Sequence, residues 1–110
     1  MKQTIRSKRI LESARGQKCT VCSPWCNHNT ETTVWAHSNM SIHGKGLGRK
    51  AHDIFGCYAC SECHRWLDEG CHRWLDEGPP TRQEKELVFF EAFSRSLLIL
   101  IEEGIVSIKK

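Results

Sequence analysis

The chain has 110 residues, 26% of them charged, and a net charge of +3: enough for one domain with one modest core and too few for two. Its start, Met1-Lys2-Gln3-Thr4-Ile5-Arg6-Ser7-Lys8-Arg9, is charged and has no apolar signal region. The seven cysteines are therefore expected in a reducing, cytoplasmic compartment, as metal ligands rather than as a disulfide framework.

The longest apolar run, Leu97-Leu98-Ile99-Leu100-Ile101, falls far short of the roughly 20 residues that a bilayer span requires, so no membrane segment is expected. Charge is unevenly divided. Residues 1–50 hold nine Lys/Arg against Glu12 and Glu31, a balance of +7, whereas residues 51–110 hold seven against eleven acids, a balance of −4. The first half thus offers a surface suited to phosphates, and the second supplies carboxylates for a metal or for a solvated helix face.

In chain order, residues 1–18 are basic and poor in large apolar groups apart from Ile5, Ile10 and Leu11. They predict a short helix or a mobile arm that lies along a nucleic-acid backbone. Cys19-Thr20-Val21-Cys22-Ser23-Pro24-Trp25-Cys26 places three thiols around a proline turn, the composition of a metal-binding loop. Thr32-Thr33-Val34-Trp35-Ala36-His37 reads as a strand, rich in branched and aromatic residues. The loop His43-Gly44-Lys45-Gly46-Leu47-Gly48-Arg49-Lys50 is polar and glycine-rich, but lacks the Gly-Lys-Ser/Thr that a phosphate-binding P-loop requires. A second strand is expected at Asp53–Ala59. Cys60-Ser61-Glu62-Cys63 then forms a knuckle that opens a helix through His64 and Asp68, completing a ββα unit over residues 19–70.

An internal repeat follows: Cys63-His64-Arg65-Trp66-Leu67-Asp68-Glu69-Gly70 recurs unchanged as Cys71-His72-Arg73-Trp74-Leu75-Asp76-Glu77-Gly78, a recent in-frame duplication or an engineered insertion rather than a repeat architecture. If one helix ran through both copies, the second would be rotated by about 80° from the first. The insertion would bulge out, extend the helix, or exchange the C-terminal helix between two chains as a homodimer. Residues 79–110 complete the domain. Pro79-Pro80-Thr81 begins a helix, with Thr81 and Glu84 at capping-box spacing, that runs to about Glu103 and is stopped by Gly104. Leu87, Phe90, Leu97, Leu98 and Ile101 are its expected core face, and residues 105–108 a short terminal strand. The fold class is thus α+β: a small zinc-stapled ββα unit with an added long C-terminal helix.

Two cysteine clusters about forty residues apart point to a four-cysteine zinc site, because thiolates bind zinc tetrahedrally and a small unit needs such a staple. Cys60 and Cys63 supply one pair. Cys19, Cys22 and Cys26 compete for the other, and Cys57 and Cys71 read as buried small residues. Four thiolates leave zinc no open position, so this metal is structural and catalysis requires a second centre. His37, ending the first strand, and His64, following the knuckle, approach one another when the strands pack on the helix, and His64 and Asp68 share a helix face. An imidazole deprotonates water near neutral pH, while an imidazole and a carboxylate together hold Mg2+ or Mn2+. His43 and His52 flank the glycine loop and read first as solvent-exposed loop residues, with phosphate contact or support of the metal as the other roles open to them; His28 and His72 have no assigned role.

Ala36-His37, the glycine-rich loop, Asp53 and Cys60-Ser61-Glu62-Cys63-His64 together resemble the HNH, or ββα-metal, endonucleases with a zinc knuckle, over roughly residues 15–70. More closely, Cys26-Asn27-His28-Asn29, Glu31-Thr32, Ala36-His37 and Ala59-Cys60-Ser61-Glu62-Cys63-His64 are similar to the YbcO-like nucleases of lambdoid phages and prophages. That resemblance implies zinc ligands Cys19, Cys26, Cys60 and Cys63, His37 as general base, and His64 as ligand of the catalytic metal. It puts Asp53 where HNH enzymes carry their middle Asn, and Ala36 where many carry a metal ligand. Asp68 joins His64 from helix spacing alone. The expected function is metal-dependent DNA cleavage in phage recombination or DNA processing, with phosphates held by Lys45, Arg49, Lys50 and the basic arm. A non-catalytic zinc-finger DNA-binding or adaptor protein is the alternative, and a zinc-stapled protein-interaction module a third reading.

Overall fold

The computed structural model describes residues 4–69 and 81–108. Among these, helix α1 spans Lys8–Ser13, strand β1 Val34–His37, strand β2 Gly56–Ala59, helix α2 Ser61–Glu69 and helix α3 Arg82–Glu102. The molecule is a small α+β protein: a two-stranded antiparallel sheet with α2 following β2 and the long α3 packed against β2.

The sheet register pairs Val34 with Ala59, Trp35 with Tyr58, Ala36 with Cys57 and His37 with Gly56. Gly56 is required there, because a Cβ would meet the Trp35 indole and approach the Ala36 carbonyl at 2.9 Å. Both strands begin later than expected. Thr30–Thr32 forms a 3-10 turn, with the Asn29 side chain accepting from the Glu31 N–H, so β1 starts only at Val34. Ahead of β2, Asp53 sends its N–H to the Ile5 carbonyl at 2.9 Å and its own carbonyl accepts from Trp35 Nε1 at 2.7 Å. Those groups cannot join a ladder, and the strand is confined to Gly56–Ala59.

Of the two expected forms of this segment the short helix is the one present, and α1 is docked against the sheet and not mobile. Ser7 caps it, its side chain accepting from the Ile10 N–H, and Ile10 and Ala14 are buried with Trp35, Tyr58 and Leu100. A larger cluster lies on the other side: Val21, Ala36, Cys57, Trp66, Leu67, Phe89 and Ala92 pack around the cysteines. Helices α1 and α3 thereby supply the apolar surface that two short strands cannot.

The capping box of α3 forms as expected, Thr81 accepting from the Glu84 N–H and the Glu84 carboxylate from the Thr81 N–H. Its core face does not. Phe89, Ala92, Ser96 and Leu100 are buried, whereas Leu87, Phe90 and Leu98 are 63%, 56% and 61% exposed. From Leu97 to Ile101 the helix is apolar on every side, so periodicity could not fix which face turns inward. A polar residue decides it: Ser96 Oγ accepts the Tyr58 N–H at 3.0 Å, lies 3.1 Å from Thr20 Oγ1 and donates to the Ala92 carbonyl at 2.8 Å. Beside it, the Tyr58 carbonyl accepts from the Thr20 N–H at 2.8 Å and from its hydroxyl at 2.7 Å.

The expected strand at 105–108 is absent. Gly104 takes φ +73°, and the N–H groups of Ile105 and Val106 fold back to the Leu100 carbonyl at 2.9 and 3.2 Å. This is a left-handed helix cap, and it tucks Ile105 and Val106 against α1's cluster instead of extending them. The second repeat copy, Cys71–Gly78, with His72, the Pro79-Pro80 helix start and the expected exchange of α3 between chains, lies outside the described residues.

Candidate metal centre and catalytic cleft

The loop before β1 and the β2–α2 junction bring Cys19, Cys26, Cys60 and Cys63 together, with all four sulfurs within 4.8 Å of one another. Cys26 and Cys60 are 3.8 Å apart, and a tetrahedron with Zn–S of about 2.3 Å has edges of about 3.8 Å. The knuckle orients its own ligands: the Cys63 N–H donates to Cys60 Sγ at 3.4 Å, and Ser23 Oγ lies 3.2 Å from Cys63 Sγ. The hydrogen bond from Cys63 pulls the Cys19 thiol down to about 4, with further help from neighbouring backbone N–H groups. The group could hold a metal ion. Cys22 stands apart. At φ +52° its chain turns left-handed, its thiol is exposed, and it donates to the Cys19 carbonyl at 3.3 Å. Cys57 is a buried core residue whose thiol is pushed up by burial.

A separate cleft of about 500 Å³ opens between α1, β1, the glycine loop and α2, lined by Arg15, His37, Lys45, Lys50, His64 and Asp68 among others. His37 and His64 thus face one space. His37 Nε2 lies 2.7 Å from Asp53 Oδ1, and the Asp53 carboxylate also accepts the Ser7 N–H at 2.6 Å and Arg6 at 3.3 Å. Burial pushes the Asp53 carboxyl up, but hydrogen bonds from His37 and Ser7 and the charges of His37 and Arg6 outweigh it, leaving it below its ordinary range. On α2, His64 Nε2 lies 3.1 Å from Asp68 Oδ2, and Asn39 Nδ2 donates to Asp68 Oδ1 at 2.9 Å. Burial raises Asp68, while these two hydrogen bonds and the His64 and Lys45 charges lower it further, so it too is a carboxylate.

The arrangement can move a proton. With its Nε2–H donated to Asp53, a neutral His37 keeps Nδ1 as an acceptor, and the carboxylate stabilises the imidazolium that forms on protonation. Lys45 and Lys50 line the same cleft. Arg49 is not among its lining residues; its backbone pairs with Gly46 across the loop tip at 3.0 and 3.1 Å. His43 and His52 are not exposed loop residues. His43 stacks on Phe55 with ring centroids 4.2 Å apart, its Nδ1 is 2.6 Å from Ser38 Oγ, and burial lowers its pKa. His52 is buried, and its Nδ1 accepts from the Ile5 N–H at 2.8 Å. Arg15 and Asn39 line the cleft and the Arg6–Ser7 pair holds Asp53, four contributions that sequence reasoning missed. No local pattern marks them, since Arg6 and Asp53 are 47 positions apart.

The sequence profile of the family described as "Putative nuclease YbcO" matches residues 8–105. The chain belongs to this family. It is 36% identical over 98 residues to "Putative nuclease YbcO" of Escherichia coli (strain K12), covering 88% of this chain and 95% of the relative. The same figures hold for "Putative nuclease ybcO" of Enterobacteria phage 82. A solved structure described as "Structure of a putative bacteriophage protein from Escherichia coli str. K-12 substr. MG1655" aligns with a TM-score of 0.62 at 28% identity. It covers 86% of this chain and 98% of that one. The span matched by the YbcO profile contains the cysteine group, the cleft and α3 up to its cap. No helix among the described residues is long and apolar enough to cross a membrane.

Proposed function

We propose that the chain is a metal-dependent DNA endonuclease of the HNH, ββα-metal kind, acting in phage DNA processing within the host cytoplasm. The observation that carries this reading is the shared cleft: the His37–Asp53 and His64–Asp68 pairs open onto one space lined by Arg15, Lys45 and Lys50. The nuclease names of its relatives in Escherichia coli and in a phage support it.

Zn2+ fits the cysteine group, since all four donors are cysteine sulfurs close enough together to share one ion, and it would staple the β2–α2 junction. His64 and Asp68, side by side on one face of α2, would hold Mg2+ or Mn2+ through an imidazole nitrogen and a carboxylate oxygen. Bound there, the ion would supply positive charge against a phosphate under attack. His37 Nδ1 takes the proton of the attacking water. Asp53 holds the ring by its Nε2–H and offsets the charge it gains. Lys45, Lys50 and Arg15 hold the flanking phosphates, and Arg49, outside the cleft, contributes a weaker peripheral contact.

One observation favours the alternative of a non-catalytic zinc-stapled DNA-binding protein. Among the described residues the cysteine group is the sole cluster of three or more metal-type donors. Incubation with supercoiled DNA in Mg2+, Mn2+ or EDTA separates the readings. Nicking should require the divalent ion and fall by about 10²–10⁴-fold in His37→Ala, and as steeply in His64→Ala, with DNA affinity preserved. Binding without cleavage in every metal would establish the alternative.

A further inference from the structure

The segment before α1 is bonded along its length to the loop that delivers Asp53. The Ile5 N–H donates to His52 Nδ1 at 2.8 Å, and the Ile5 carbonyl accepts the Asp53 N–H at 2.9 Å. Arg6 donates to the Ala51 carbonyl at 2.6 Å, to the Lys50 carbonyl at 3.0 Å and to Asp53 Oδ1 at 3.3 Å. The Ser7 N–H takes the other carboxylate oxygen at 2.6 Å. The Arg6 side chain is 44% exposed, yet its three acceptors on one loop hold the guanidinium beside a carboxylate only 2% exposed.

A guanidinium and an imidazole therefore address one oxygen. Asp53 Oδ1 has His37 Nε2 at 2.7 Å and Arg6 at 3.3 Å. A single buried carboxylate needs one counter-charge, and arginine supplies it at every working pH. A proton on His37 would put a second positive charge on the same oxygen. The other charged groups lining the cleft act in the same direction: Lys45, Lys50 and Arg15 are cations, and Asp68, the lone acid among them, is already paired with His64.

We propose that Arg6 is a positioning residue of the cleft: the permanent counter-charge to Asp53 that leaves His37 uncharged, and so able to accept a proton, at neutral pH. This rests on the reading of His37 as general base. The N-terminal segment then serves the site from behind, through Asp53, and not as a strap on nucleic acid.

The test is a histidine titration of the full-length, zinc-loaded protein by NMR without DNA, comparing the parent with Arg6→Gln, Arg6→Met and Arg6→Lys. Removing the counter-charge should raise the His37 midpoint by about one pH unit in the Gln and Met variants, whereas Lys, which keeps the charge, should hold it within about 0.3 unit. The acid limb of any cleavage profile should move up with the midpoint. Uncharged variants that melt cooperatively yet leave the midpoint unmoved would overturn the proposal, as would a Lys variant shifted as far as Gln, which would make the role structural. The titration reads without cleavage, so an inactive protein would sink the endonuclease assignment and leave this measurement standing.

Discussion

The cysteine group and the cleft both lie where α2 meets the sheet, but they are held together in opposite ways. In the cysteine group four like donors converge, with Ser23, His28 and nearby backbone N–H groups around them but no cationic side chain paired to any of the four among the described residues. In the cleft every acid already has its base: Asp53 has His37, Arg6 and the Ser7 N–H, and Asp68 has His64 and Asn39. The first arrangement leaves like donors for a metal to balance, whereas in the second the side chains already hold one another in place. Stability and activity should therefore separate along this line.

The largest effect expected from breaking that contrast is at the knuckle. Cys63→Ser should abolish metal retention and remove a folding contribution on the order of 10 kcal/mol, so that cooperative melting is lost in a thermal scan. A Cys63→Ser protein that still melts sharply and holds its metal would place the fold's stability elsewhere. A smaller effect is expected at the cleft rim. Lys45→Ala and Lys50→Ala should leave melting unchanged, weaken DNA binding severalfold and each reduce the slope of log affinity against log salt by about one. Arg49→Ala, outside the lining, should change the slope least; equal slopes for all three would mean that the cleft does not define the DNA path. Smallest of all is Cys22→Ser, for which metal stoichiometry and melting temperature should match the parent. A loss of bound metal there would show that Cys22 exchanges with Cys19 or Cys26.

What the sequence disclosed follows the range of the interactions. The Cys60/Cys63 pair, the His64/Asp68 pair and the Thr81–Glu84 capping box lie three or four residues apart, and such spacings are visible in a linear string. The resemblance singled out Cys19 and Cys26 over Cys22, and the structure brings those two to Cys60 and Cys63. The inward face of α3 was illegible, because Leu97–Ile101 is apolar all round and the deciding contact is a serine bonded to Tyr58, 38 residues away. For α1 a short helix is one of two readings, and what decides against a mobile arm is the cover that Trp35, Tyr58 and Leu100 give Ile10, which no local spacing shows. Arg6, Ser7 and Asp53 meet across 46 or 47 positions, and nothing periodic announces such a contact.

The serine on α3 has one more consequence. A sheet of two short strands ordinarily leaves backbone donors and acceptors open along its outer sides, where a strand from another chain can add itself. At Tyr58 both groups are already taken, the N–H by Ser96 and the carbonyl by Thr20. A helix and a loop thus stand in for the missing third strand, closing that side of β2 to polymerisation by strand addition while leaving β1 beside the cleft.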